Sequence, residues 1–387
     1  MAQWAEIKAR HPHAILWYRC GDFFEMFYDD AELGARVLDI TLTSRGDGVP
    51  LAGVPVRAAA DYLRRLVAAG HRVAICEQVE DPKLARGLVR REVVETVTPG
   101  ALLEDGWIAG TANNWLVAVA GDGLAAVDLS TGEFALETLA PGGRAEALAR
   151  LAPREVVLPA DAPIALEDGV LRTERERWEF DAALAREELA RRFALASLDG
   201  LGVGPGDEAA LGAAGALLRY LGELQPGGLP HLARPALRRS ARHLWLDEMT
   251  RRNLELVEPL RAGARGTTLL ETIDRTVTPM GARLLRQWTL SPLRDRGAIE
   301  RRLDAVEALV RDGIGRGTLR EALDGVRDLE RLAGRAAAGR ATPRELGVIR
   351  DSLGRLPDVA GALQGVLGGS PAGPDGGTDR TAAADGE

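Results

Sequence analysis

"AILWYRCGDFFEMFYDDAELGARVLD", residues 14–39, decides how the first third of the chain is read. The apolar run 14–20 is a short strand candidate, and Gly21 marks a turn. Residues 29–39 carry helical spacing at Leu33, Val37 and Leu38, weakened by Gly34. Strand, turn, extended run and helix in quick succession point to a mixed α/β class. Three of the chain's 6 Phe fall inside "GDFFEMF" (21–27), around one glutamate. Read as a strand, Phe23, Glu25 and Phe27 face one way, and Phe24, Met26 and Tyr28 the other. The second set is an ordinary core face. The first places a carboxylate between two large rings. Two readings stay open here. Both rings belong to the core with Glu25 solvated at an edge, or Phe23 is an exposed wedge with a polar reader two residues on. The latter is the arrangement minor-groove binders use to pry open a base step.

The pattern continues outward. "ITLTS" (40–44) reads as a strand, and 58–70 as an amphipathic helix with Tyr62, Leu63 and Leu66 on one side and Gly70 as its stop. "HRVAICEQV" (71–79) and "REVVETVT" (91–98) read as strands. Between 114 and 139 three apolar runs are divided by "GDG" and "STG", which are hairpin signals. A helical pattern at 142–151 and a strand at "EVVLP" (155–159) follow, forming a second α/β unit. Beyond 245 the chain reads as helical. Thr278 is a helix N-cap with Pro279 at the first helical position, and Ile299, Leu303, Val306 and Val310 form a stripe. The expected division is therefore an α/β domain at 1–105, a second α/β domain at 111–235, an all-α segment at 240–367, and a disordered tail at 368–387, which has no core-forming residues.

Composition narrows the chemistry. The net charge is −8, so any nucleic-acid contact must be local rather than driven by bulk charge. Of 49 basic residues only Lys8 and Lys83 are lysine, a bias that fits base composition and says little about function. Cys20 and Cys76 stand alone, as expected in a reducing cytoplasm, and give neither a disulfide framework nor a zinc site. The first twenty residues are broken by charges and hold no signal-peptide core, and no apolar run approaches the ~20 residues of a membrane span. No Gly-Lys pair occurs, which excludes a standard phosphate-binding P-loop within these residues. The 5 histidines show no metal-ligand spacing, and no GxSxG elbow is present. Asp128, in "AVDLSTGEF", is the one candidate catalytic acid, on a domain that reads as ribonuclease-H-like. A metal-dependent nuclease needs further carboxylates beside it, and neighbouring runs supply none. The alternative is a turn-forming Asp beside Ser130, Thr131 and Gly132.

Longer stretches resemble a known family. "WYRCGDFFEMFYDDAELGARVLDITLTSRG", "PLAGVPVRAAADYLRRLVAAGHRVAICEQVEDP", "REVVETVTPGAL", "LDEMTRRNLEL" and "LLETIDRTVTPMGARLLRQWTLSPLRD" look like successive parts of bacterial MutS mismatch repair proteins. The resemblance implies a mixed-sheet mismatch-binding domain, a ribonuclease-H-like connector and the beginning of a helical lever. It implies that Phe23 stacks as the wedge and Glu25 reads the displaced base, with Phe24, Met26 and Phe27 anchoring the strand. It brings the loop "PLAGVP" (50–55), with Leu51 and Gly53, toward the minor groove. Arg45 would neutralise a phosphate or remain a solvated turn residue. Mismatched double-stranded DNA, the repair protein MutL through the connector, and a homodimer are the partners implied. The family's clamp and ATPase have no counterpart in these residues, as in a truncated member. No enzymatic activity or cofactor is therefore expected of this chain, ATP and Mg belonging to the full-length family, and a cytoplasmic, nucleoid-associated location follows. A metal-dependent nuclease and a structural adaptor that no longer touches DNA are the competing readings.

Wedge insertion costs a few kcal/mol of lost stacking per step. A mispaired base has already lost part of that energy, so opening there is cheaper. A saving of ~1.4 kcal/mol gives tenfold preference.

Overall fold

A computed structural model describes residues 1–46, 48–80, 87, 89–103, 106–239, 242–244, 246–261, 263–264 and 266–368. The tail expected to be disordered lies, from residue 369 onward, outside them.

The first unit is a six-stranded sheet in the order β3-β4-β2-β1-β5-β6. Its strands are β1 (Ile15–Cys20), β2 (Phe23–Phe27), β3 (Thr43–Ser44), β4 (Pro50–Pro55), β5 (Val73–Gln78) and β6 (Arg91–Val97). Helices α1 (Ala2–Arg10), α2 (Asp29–Leu38) and α3 (Ala59–Ala68) pack on it. Gly34 weakens α2 by propensity but is required by its packing. A Cβ there would sit 2.5 Å from Met26 Sδ, so the helix gives up a side chain to let a fully buried Met26 lie against it.

Three expectations need correction. Only Thr43–Ser44 of "ITLTS" is strand, because Asp39 adopts a left-handed cap and Ile40 N–H still donates to Ala35 O at the end of α2. "PLAGVP" is not a loop. It is β4, antiparallel between β2 and β3, with Ala52 and Val54 fully buried and its two prolines at the strand ends. Tyr28 does not continue the core face of β2. Its φ of 54° takes it off the strand as the N-cap of α2, 41% exposed, with its ring 5.2 Å from Trp4.

The second unit is a sheet in the order β11-β10-β7-β8-β9-β12. Its strands are β7 (Trp115–Ala120), β8 (Gly123–Asp128), β9 (Glu133–Thr138), β10 (Glu155–Pro159), β11 (Leu171–Arg175) and β12 (Ala236–Arg239). Strands β7–β8 and β8–β9 pair as antiparallel hairpins, at the two turn signals of the sequence. α4 (Arg144–Leu151) covers one face, while α5 (Ala182–Phe193) and α6 (Glu208–Leu224) cover the other. α6 approaches β8 so closely that a Cβ on Gly123 would fall 2.0 Å from the Ala209 carbonyl carbon. The first residue of β10 is a buried carboxylate, Glu155, which accepts from Thr173 Oγ1 (2.6 Å), Tyr220 OH (2.6 Å), Gly100 N (3.3 Å) and Thr98. Burial and the adjacent Glu155 charge hold the Tyr220 hydroxyl well above its ordinary pKa.

The remainder is helical: α7 (Glu248–Asn253), α8 (Leu269–Ile273), α9 (Pro279–Leu290), α10 (Arg296–Arg311), α11 (Gly313–Asp324), α12 (Leu329–Ala337), α13 (Pro343–Gly354) and α14 (Leu356–Gly368). Thr278 caps α9 as expected, its hydroxyl accepting from Gly281 N at 3.1 Å. The stripe of α10 forms but faces solvent, with Leu303 59% and Val310 66% exposed. Among the described residues no helix is long and apolar enough to cross a membrane.

Candidate nucleic-acid interface

β1 and β2 are joined by a two-residue turn whose first residue, Gly21, has φ 56°, a conformation glycine adopts without penalty. The hairpin fixes the alternation of β2. Phe24 and Met26 enter the core between the sheet and α2, with Phe24 stacked on Trp17 at 5.5 Å and 26°. Phe23, Glu25 and Phe27 take the other face, whose two halves differ. At one end α1 covers it. Phe27 is buried against Trp4, ring centroids 5.8 Å apart, and packs with Ile7, Leu16 and Ala74. At the other end no described residue covers it, and Phe23 is 45% exposed.

Cross-strand register sets the neighbours. Glu25 lies between Tyr18 of β1 and Gly53 of β4, and Phe23 between Cys20 and Pro55. Gly53 has ordinary extended geometry. A Cβ there would sit 3.7 Å from the Phe23 ring and 3.8 Å from Glu25 Cγ, which is plain van der Waals contact. Neither conformation nor a clash demands glycine, whose effect is to leave bare backbone between the ring and the carboxylate. Leu51 shares this face but is half-buried toward Phe27, its partner in register. Arg45 is exposed in the turn after β3, its guanidinium 5.9 Å from the Phe27 ring centroid. The structure thus brings Phe23, Glu25 and Gly53 together on the open half-face, with Leu51 and Arg45 toward its covered border.

Two neighbours were not singled out from sequence. The Cys20 thiol is pushed up to about 11, first by burial and then by the neighbouring Glu25 carboxylate. It is therefore a neutral S–H beside Glu25. Tyr18 donates to Gln3 Oε1 at 2.5 Å, and Arg91 lies over its ring at 4.9 Å. Both could have been found by extending the alternation of "AILWYRC", which sets Leu16, Tyr18 and Cys20 on one face.

Asp128 has no such opening. It is fully buried. Oδ1 accepts from Ser130 N (2.9 Å) and Oγ (2.7 Å), and Oδ2 from Asn113 Nδ2 (2.9 Å) and Asn114 N (3.1 Å). A carboxylate with all its acceptor sites engaged is a structural anchor. Among the described residues no group of three His, Cys, Asp or Glu is placed to hold a metal ion, so the geometry does not favour the nuclease reading.

Family models of MutS domain I, MutS domain II and MutS domain III match residues 1–106, 114–233 and 249–369 in turn. The chain belongs to the MutS family. It is 44% identical over 375 residues to the DNA mismatch repair protein MutS of Solibacter usitatus, covering 92% of this chain and 43% of that protein. Against the MutS of Symbiobacterium thermophilum the identity is 45% over 385 residues, 94% of this chain and 44% of the relative. Against that of Salinibacter ruber it is 43%, with 94% and 42% covered. The chain therefore spans less than half the length of these MutS relatives. The open half-face falls within the domain I match and Asp128 within the domain II match.

Proposed function

We propose that this chain recognises mismatched or unpaired bases in double-stranded DNA, as the recognition part of a mismatch repair protein. The observation that carries the reading is Phe23, a large ring nearly half exposed one residue from the buried, stacked Phe24 and beside the Glu25 carboxylate. A protein does not leave such a ring in water for its own stability, since burying it would be worth about 1.5–3 kcal/mol. Phe23 wedges into the weakened step, and Glu25 accepts an N–H from the displaced base while repelling phosphates elsewhere. Gly53 lets the sugar edge approach the strand backbone. Leu51 borders this approach, and Arg45 neutralises a phosphate. The three units act as mismatch-binding domain, connector and partial lever. MutL docking on the connector, a homodimer, and residence beside the nucleoid in the cytoplasm belong to the same reading. Neither nuclease nor ATPase chemistry is assigned to these residues.

Fluorescence anisotropy on a G·T duplex and its matched control tests this. The unmodified chain favours the G·T duplex. Phe23→Ala removes the preference, because base–aromatic stacking is worth ~1–3 kcal/mol. Equal binding of both duplexes by the unmodified chain refutes the reading. With a net charge of −8 few phosphates are neutralised, so the salt slope stays shallow, at about 0.9 per phosphate contact.

A further inference from the structure

Residues 106–114 connect the two sheets without regular structure. Trp107 and Ile108 pack against the core of the first unit. At the other end Asn113 and Asn114 are held by Asp128 of the second unit, and Asn114 Nδ2 reaches back to Pro99 O (3.0 Å) and Gly100 O (3.1 Å). Between these ends the backbone is gripped by the helical segment. Arg331 of α12 donates to Ile108 O (3.2 Å), Ala109 O (3.1 Å) and Ala112 O (2.6 Å), and Arg283 of α9 to Gly110 O (2.9 Å). Arg283 is itself forked onto Asp328 at 2.7 and 2.8 Å and reaches Glu330 at 2.6 Å. Both guanidiniums are buried, at 2% and 5% exposure. Buried arginine is tolerated only when charge and donors are answered. Here two cations meet two carboxylates, and the spare donors go to carbonyls of an irregular segment whose one internal backbone bond among the described residues is Ala112 N to Ala109 O at 3.0 Å. A connection that would otherwise be a flexible tether is a three-way joint.

We propose that Arg283 and Arg331 are positioning residues: by clamping 108–112 they fix the orientation of the Phe23–Glu25 face relative to the helical segment. The effect on DNA rests on the mismatch-binding reading above, whereas the clamp itself does not. Loosening the joint leaves each unit folded, lets the first unit shift about its remaining ties, Arg72–Thr173, Gln225–Glu95 and Arg340–Glu95, and lowers mismatch preference without touching the reading face.

The test uses the full chain with Arg331→Met and, as a milder change, Arg331→Lys, whose single ammonium cannot span three carbonyls. Hydrogen exchange is followed by segment. Amides in 106–114 should lose protection by at least about tenfold in Arg331→Met and less in Arg331→Lys. Those in β1, β2, β7 and β8 should keep theirs, which shows the units are folded. Spin labels at Arg64→Cys and Leu303→Cys, in a Cys20→Ser, Cys76→Ala background, should give one narrow distance in the parent and a broad distribution in Arg331→Met. An unchanged distance distribution overturns the proposal. So does a loosened joint, in the unlabelled protein, with undiminished G·T preference. If the parent shows no preference for G·T, the mismatch reading fails, and the distance distributions alone decide the clamp.

Discussion

The two sheets invite comparison because they have six strands each and opposite uses. The second is buried on both faces, its central strands β7 and β8 apolar at nearly every position, with α4 on one side and α5 and α6 on the other. The first buries one face along its central strands and only half of the other, where α1 stops short of Phe23. A sheet covered on both sides is a scaffold whose residues answer only to packing. A sheet left half bare has room for residues that packing does not explain, and Phe23, Glu25 and Gly53 are three of them.

The comparison breaks if residues on the bare half matter to stability as much as those beneath. Phe24→Ala removes a ring stacked on Trp17 and should cost about 3–5 kcal/mol, seen as a marked drop in melting temperature. Phe23→Ala, one residue away, should change stability by less than about 0.5 kcal/mol. If Phe23→Ala unfolds the protein while Phe24→Ala costs only mismatch preference, the faces are reversed. Next in size is Gly123→Ala in the scaffold sheet. The added methyl meets backbone of α6 rather than a movable side chain, so overpacking should cost about 1–3 kcal/mol in denaturant unfolding. A neutral result would mean α6 rides loosely on β8. Glu25→Ala should leave the melt unchanged. It should strengthen matched-duplex binding several-fold, because lifting one close repulsion is worth about 1 kcal/mol, and so narrow discrimination from the opposite side to Phe23→Ala. Weaker binding of both duplexes would show that Glu25 contributes attraction.

The smallest effect concerns acid. His231 has its pKa lowered chiefly by burial. Its Nε2 lies 2.8 Å from Leu129 O, and its Nδ1 is buried without a partner among the described residues. The folded state therefore prefers the neutral ring, while the unfolded state protonates near the ordinary 6.5. Stability is full above that value and falls as pH drops below it, until the folded-state pKa is passed. His231→Gln should flatten this part of the stability profile between pH 7 and 5, and an unchanged slope would assign the acid sensitivity to other groups.

How much of this was legible follows the same division. Elements marked by local signals announced themselves. The alternation of β2, the "GDG" and "STG" turns, β10 at 155–159 and the Thr278–Pro279 helix start were all readable, because alternation and capping are local. α6 was not, since a helix buried nearly all round, "EAALGAAGALLRYLGEL", has no polar stripe to set its period. Strands β11 and β12 were hidden by arginines in "LRTER" and "ALRR", which sit at the sheet edges. Arg283 and Arg331 could not be told from the other arginines of an arginine-rich chain, because what sets them apart is carbonyls more than 170 residues away in sequence. Phe23 and Glu25 stood out as an oddity of composition, whereas their openness depends on where α1 ends.

That boundary is fastened at Lys8. Lys8 Nζ is 2.8 Å from Asp30 Oδ1 and 2.6 Å from Ala14 O, and Asp30 Oδ2 also accepts from Leu16 N at 2.9 Å. With the buried Trp4 and Ile7 and the Tyr18–Gln3 hydrogen bond, Lys8 pins α1 over Leu16, Phe27 and Tyr18. Were it released, the bare strip would widen into a continuous greasy surface beside sheet backbone, the kind of patch through which proteins stick to one another. The ion pair is a safeguard of colloidal behaviour: it limits how much of the sheet the molecule shows to its own copies.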